Sequence, residues 1–378
     1  MRTKLPDIPT SIFAKMSKLA AEQNAINLSQ GFPDFPSSPE LINLVTKAMK
    51  GGYNQYAPMP GLIELREAIS QKIKHLHQYP YNPDTEITVT CGATQAIYTI
   101  LSSFIFPGDE VIIFAPAYDS YAPSILAQGG IVREIALSLP DYHIPWEKVE
   151  AVKNDKTKMI LINSPHNPTG AILGLGDIKK LEQFVEGTNI LILSDEVYEH
   201  IIFDGEIHYS VSRFPSLVSR AFVVGSFGKT FHNTGWKMGY CAAPDILMNE
   251  FRKIHQFVVF SVNHPVQRAL AEYLKNPVNY LSVPEFYQQK RDYFLSLIQN
   301  SKFTFTPSRG TYFQLLQYEN ISDMNDEAFA EFLTIKHKIA AIPISVFYSP
   351  KKDLKLLRFC FAKKNDTLEK AAEILRNL

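Results

Sequence analysis

Between about Ile87 and Pro244 the chain repeats short apolar runs, namely ITVTC, VIIFA, IVREIAL, MILIN, ILILSDE, AFVVGSF and GYCAA. Several are apolar at successive positions rather than alternating, the pattern of a strand covered on both faces. Segments with helical spacing lie between many of them, such as Ala93 to Phe106 and Asp177 to Glu186. The alternation predicts an α/β fold whose large domain holds a mostly parallel, seven-stranded-type sheet covered by helices on both faces. Beyond Pro244 come long helical stretches, the strand-like FTFTPSRGTYFQLLQY and LLRFCFA, and a charged helix from Asp366 to Leu378. These predict a smaller α+β C-terminal domain joined by the N-terminal segment. The expected division is 1–45 for that segment, 46–275 for the large domain and 276–378 for the small one.

Composition narrows the function. Lys and Arg number 38 against 38 Asp and Glu, for a net charge of +0. A protein that tracks nucleic acid usually needs a basic surplus to neutralise phosphates, and none exists here. With 46% hydrophobic residues, including 25 Phe and 18 Tyr, the chain can bury enough apolar area to offset chain entropy. No apolar run approaches the roughly 20 residues that span a bilayer, and the N-terminus lacks the continuous core of a signal peptide. Three scattered cysteines, Cys91, Cys241 and Cys360, fit neither a disulfide framework nor a zinc site. A cytoplasmic protein with no membrane or nucleic-acid partner is expected. No histidines are paired at metal-ligand spacing, so the ten His are read as surface, cap or core residues and no metal is expected.

In an open parallel sheet the ligand crevice lies beyond the carboxyl ends of the strands. Four places there carry chemistry. After ITVTC, Gly92, Ala93 and Thr94 open a helix, whose free N–H groups suit a phosphate, although taken alone they read first as an ordinary tight strand-to-helix turn. After MILIN, prolines on either side of Asn167 in SPHNPTG fix its direction, or simply make a turn. After ILIL, Asp195 and Glu196 end a buried strand, where a carboxylate needs a cation or donor unless it is a helix cap. After AFVVG come Ser226, Lys229 and, eight residues on, Lys237 beside a glycine-rich turn. A crevice lysine can bind phosphate or act as an amine nucleophile, whereas a lone lysine is usually a solvated surface residue.

Competing motifs fail on single residues. A Walker loop ending at Gly228-Lys229-Thr230 needs glycine where Val223 stands. A serine hydrolase elbow at Ser226 needs glycine where Val224 stands. Gly174 and Gly176 imitate a dinucleotide fingerprint, yet Lys179 holds its third glycine position.

Six strings in order, NLSQGFPDFP (27–36), NQYAPMPGLIELREAI (54–69), SPHNPTG (164–170), SDEVYEH (194–200), SFGKTFHNTGWKMGY (226–240) and LRFCFA (357–362), resemble the class I/II aminotransferases among fold-type I pyridoxal-phosphate enzymes. The likeness is closest to the methionine and kynurenine aminotransferase branch. It implies pyridoxal 5'-phosphate as cofactor, and an amino acid and a 2-oxo acid as substrates. It also implies a homodimer with shared active sites. Lys229 would carry the cofactor aldehyde as a Schiff base and shuttle the substrate proton. Ser226, Lys237 and the turn at Gly92, Ala93 and Thr94 would hold the phosphate. Asp195 would pair with the ring nitrogen, Tyr198 and Asn167 with the ring hydroxyl, and Tyr118 would stack on the ring. Arg358 would grip the substrate carboxylate, with Gly31, Phe32, Asn167 and Phe260 bordering the substrate, while Tyr56 would reach the phosphate of the second subunit. Lysine at 237, where many superfamily members carry arginine, fits this branch. With no clear second arginine for a dicarboxylate, methionine-like or aromatic amino acids are the expected donors. A cysteine-conjugate β-lyase using the same site is the alternative. A non-catalytic regulatory module is the remote one.

Overall fold

The computed structural model describes residues 3–378. The strands, in chain order, are β1 (Ile26–Asn27), β2 (Ile87–Thr90), β3 (Glu110–Ala115), β4 (Ile131–Ala136), β5 (Thr157–Asn163), β6 (Leu191–Asp195), β7 (Ala221–Ser226), β8 (Gly239–Ala242), β9 (Phe313–Gln317), β10 (Ile339–Ala340), β11 (Ile342–Pro343) and β12 (Leu356–Cys360). All seven apolar runs form strands of one sheet, in the order β2-β8-β7-β6-β5-β3-β4. It is parallel except for β8, which runs against both β2 and β7.

Successive side chains of a strand point to opposite faces, and here both faces are covered. Ile112, Ile160, Ile162, Ile192 and Val223 enter a core on one side. Their chain neighbours Val111, Ile113, Met159, Leu161, Leu193, Phe222 and Val224 enter a second core on the other. The uninterrupted apolar runs follow from that double burial. The edge strand β4 is half exposed. There Arg133 donates to the buried Glu110 through both Nε and Nη2, which pulls that carboxyl down to about 2.

A third core gathers the C-terminal elements around the antiparallel sheet β11-β12-β9, together with Met16 and Leu28 from the N-terminal segment. Helix Ile12–Glu22 is capped by Ser11, whose Oγ accepts from the N–H of Ala14. The segment that follows adds β1 parallel to β10. The stretch FTFTPSRGTYFQLLQY holds one regular strand, β9, because Pro307 lacks an N–H for a ladder. Thr304 makes only a single bridge, to Gln317.

A buried polar lattice ties helix Ile63–His77 to the end of β6. The Lys72 ammonium bonds the Glu199 carboxylate and donates to the Tyr240 hydroxyl at 3.0 Å, and Tyr240 donates to Glu199 at 2.9 Å. Glu196 takes Ser194 Oγ at 2.8 Å and the Val211 N–H at 3.2 Å, and its other oxygen lies 2.9 Å from His208 Nε2. His77, Glu196 and His208 thereby bring ligand atoms within 4.8 Å of one another, a grouping of metal-ligating types with no metal-ligand spacing along the chain. Burial pushes His77 down, and it pushes His200 down to about 3, so the His200 imidazole is neutral at pH 7. Removing one partner of a buried ion pair strands the other. Lys72→Met is therefore expected to lose roughly 3 kcal/mol of stability in urea unfolding, and adding Glu199→Gln should recover part of that loss.

Candidate active site

Strand register gathers the polar ends of the sheet. Asn163 lies opposite Asp195, and Asp195 opposite Val224, two residues before Ser226. Gly239 pairs with both Ser226 and Thr90, which brings the turn at Gly92 beside the Lys229 and Lys237 loop. The crevice is closed from the other side by Arg358 in β12, which pairs with Leu315 and Ile342.

Twelve of the sequence-predicted residues line this one cavity. Gly92, Ala93, Thr94, Ser226 and Lys237 form one end. Gly92 sits at φ +75°, and a Cβ there would lie 3.3 Å from Lys237 Nζ, so glycine leaves the lysine its place. Lys237 has no salt-bridge partner among the described residues. Ser226 Oγ accepts from the Lys229 N–H at 3.4 Å and caps the short helix Phe227–Thr230.

Asp195 and Tyr118 lie deeper. Asp195 is buried, accepts from Tyr121 Oη at 2.5 Å and from the Val197 N–H at 3.3 Å, and has no cationic partner within bonding distance among the described residues. Burial pushes its carboxyl up to about 6, against those two hydrogen bonds. Burial likewise raises the Tyr118 phenol to about 12, which keeps it neutral.

Lys229 Nζ donates to the Gly31 carbonyl at 3.1 Å and to Tyr312 Oη at 2.9 Å, and among the described residues it faces no carboxylate at salt-bridge distance. Burial lowers its amine to about 8, with the cations Arg358 and Lys237 acting in the same direction. Arg358 is 1% exposed. Its Nη1 donates to Asn167 Oδ1 at 2.7 Å and its Nη2 to the Ser29 carbonyl at 2.9 Å, while Nε has no partner. The guanidinium lies 3.8 Å from the centre of the Phe313 ring, and burial pulls its pKa below the usual range. Asn167 and Tyr198 border the same space.

Three predicted residues lie elsewhere. Phe32 is exposed beneath the Lys363 ammonium, 4.8 Å from its ring. Tyr56, 79% exposed, meets Phe260 edge to face at 5.1 Å on the outer surface. Sequence reasoning missed Phe13, Tyr121, Asn163 and Phe313, which line the cavity, and Tyr312, which bonds Lys229. Two had a signal: Tyr121 follows Tyr118 by three in PAYDSY, and Asn163 is the polar end of MILIN.

The family described as aminotransferase class I and II matches residues 23–375. The chain is 47% identical to a methionine aminotransferase of Escherichia coli (strain K12), over 100% of this chain and 98% of that protein. It is 30% identical to kynurenine–oxoglutarate transaminase 3 of Homo sapiens, over 99% of this chain and 89% of the other. Among solved structures, an Escherichia coli methionine aminotransferase superposes with a TM-score of 0.97 at 47% identity, covering 100% of this chain and 99% of that one. N-succinyldiaminopimelate aminotransferase of Mycobacterium tuberculosis gives 0.96 at 32% identity, covering 100% and 99%.

The raised Asp195 carboxyl makes a pH prediction for the cofactor-free protein. The folded state holds that proton more tightly than the unfolded chain, so Asp195 costs stability as pH rises from about 4 through about 6. Asp195→Asn lacks this term. Its unfolding midpoint relative to wild type should climb across that window and level off above it.

Proposed function

The chain belongs to the class I and II aminotransferases, which depend on pyridoxal phosphate, and from that premise we propose that its amino donor is methionine or a similarly apolar amino acid and its acceptor a 2-oxo acid. The observation that carries this reading is Arg358, a buried guanidinium with an unpartnered N–H and, among the described residues, no carboxylate at salt-bridge distance. Asn167 and Ser29 fix its plane, so it can receive an amino acid's α-carboxylate in a fork that lysine cannot supply.

The remaining residues suit the cofactor. Asp195 is a buried carboxylate lacking a cation, which a protonated ring nitrogen would provide. Lys237, Ser226 and the turn at Gly92, Ala93 and Thr94 would hold the phosphate. Asn167 and Tyr198 would face the ring hydroxyl, and Tyr118 the ring face. Bound pyridoxal phosphate supplies an aldehyde that joins an amine and a ring that takes up electrons from the substrate α-carbon. Lys229 holds or moves the proton at Nζ, and its amine, lowered to about 8, is close to the operating pH that a general base needs.

Methionine-like selectivity rests on the lining and on the Escherichia coli relative. The cations on the cavity wall are Lys229, Lys237 and Arg358, each with one of the roles above, which leaves none for a side-chain carboxylate. Phe13, Tyr118 and Phe313 offer apolar surface instead. The relatives named above are aminotransferases, and no feature of the cavity favours the β-lyase alternative. In this reading residues 276–378 with 1–45 form a small unit whose Arg358 faces the cofactor-binding unit 46–275. We also propose a homodimer in which exposed Tyr56, Phe257 and Phe260 meet the second subunit and Tyr56 reaches its phosphate. No helix among the described residues is long and apolar enough to cross a membrane, and a cytoplasmic setting suits three unpaired cysteines.

Lys229→Ala should lose turnover and the visible absorbance of the loaded enzyme together; full activity in that variant would remove Lys229 from the chemistry. Arg358→Lys is expected to raise KM for the amino donor roughly 10–100-fold, from the loss of about 1.4–2.8 kcal/mol of bidentate bonding. In a donor panel read as a spectroscopic half-reaction, methionine should outrun aspartate and glutamate, and the reverse order would overturn the selectivity. Tyr56→Asp should yield monomer in light scattering with weakened cofactor binding, whereas a monomeric, active wild type would refute the shared site.

A further inference from the structure

Tyr312 has no place in the roles above, yet its hydroxyl touches the reacting nitrogen. Its ring is fully buried, edge-on to Tyr198 at 5.2 Å and to Phe313 at 4.9 Å, with Tyr287 tilted at 5.6 Å. The packing leaves Oη a single position. From it Tyr312 donates to the Gly31 carbonyl at 2.5 Å, so its own proton is committed and its lone pairs are free to accept. Lys229 Nζ donates to that oxygen at 2.9 Å and to the same Gly31 carbonyl at 3.1 Å. Glycine is needed at position 31, because a Cβ there would lie 2.8 Å from Phe313 Cζ.

The two acceptors are only 2.5 Å apart and so lie on one side of Nζ, and the Tyr198 and Tyr312 rings are each centred 5.5 Å from that nitrogen. A tetrahedral amine whose N–H bonds are drawn to one side presents its remaining position on the other. We propose that Tyr312 is a positioning residue for Lys229. With the Gly31 carbonyl it forms a clamp that takes N–H bonds of the free amine and aims the lone pair, or the N–H that replaces it, at the site of proton transfer. In the neutral amine that pair accepts the substrate's proton, the C–H electrons staying on the substrate side; in the ammonium the same position returns the proton. The clamp also ties the N-terminal segment to the lysine, because Gly31 belongs to the loop that follows β1.

The role rests on the aminotransferase reading, and one arm of its test does not. In cofactor-free protein, the pH dependence of Lys229 acylation, followed by peptide mass spectrometry, gives the amine's titration midpoint directly. The phenol oxygen accepts a hydrogen bond and so favours the ammonium. Tyr312→Phe, which keeps the ring and removes that oxygen, should therefore shift the midpoint downward from about 8. In the loaded enzyme the same variant should bind pyridoxal phosphate within about three-fold of wild type, and its KM for the donor should likewise stay within about three-fold. Its kcat should fall roughly 10–100-fold, the scale of a misaimed group. An unmoved midpoint, a kcat within two-fold of wild type, or a loss explained by cofactor release alone overturns the proposal. Absence of transamination with every donor would instead sink the aminotransferase reading while the acylation arm still tests the clamp.

Discussion

The structure depends on holding opposite charges around one buried crevice without letting them meet. Asp195, Lys229 and Arg358 all border one cavity, yet none forms a salt bridge with another. Neutral groups hold them apart: Tyr121 takes Asp195, Tyr312 and the Gly31 carbonyl take Lys229, and Asn167 and the Ser29 carbonyl take Arg358. Burying a charge without a counter-charge is costly, and the displaced pKa values are the sign of that cost. An ion pair inside the protein would relieve the cost and occupy the groups that a ligand must use.

The fold supplies the separation. Parallel strands end in register, so Asn163, Asp195 and Ser226, the last residues of β5, β6 and β7, come together from positions far apart in sequence. The doubly buried sheet makes that register stiff. Arg358 comes from a different sheet, packed around its own core, and faces the strand ends from the opposite side. Away from the crevice some buried charges meet a counter-charge, as Lys72 meets Glu199 and Arg133 meets Glu110, while Asp326 is held by the N–H and hydroxyl of Ser345. The crevice differs in gathering Asp195, Lys229 and Arg358 around one cavity without pairing them, as a site completed by its ligands would.

Much of this was legible in the sequence. Seven apolar runs became seven strands, because double burial in the central strands leaves a nearly continuous apolar pattern, while the half-exposed edge strand β4 admits Arg133 and Glu134. Asp195, Lys229 and Lys237 stand beside those ends and were readable for that reason. Arg358 was not readable from pattern alone; inside an apolar run it is an anomaly, and the family resemblance gave it a role. Phe13 and Tyr312 were invisible, since an aromatic residue in an apolar setting looks like core wherever it lies. The grouping of His77 with Glu196 and His208 was equally hidden, as it depends on a helix end meeting a strand end. Tyr56, Phe260 and Phe32 are exposed and stand outside the cavity.

The central claim is that the crevice's charges await counter-charges from its ligands. The direct measurement is the rise in thermal unfolding midpoint on adding saturating pyridoxal phosphate, compared between wild type and Asp195→Asn at pH 7.5. A ligand stabilises by what it gains in the folded state alone, so satisfying the ring-nitrogen partner must appear in the wild-type rise. The account predicts a large rise for wild type and a clearly smaller one for Asp195→Asn. Equal rises in both proteins would contradict it.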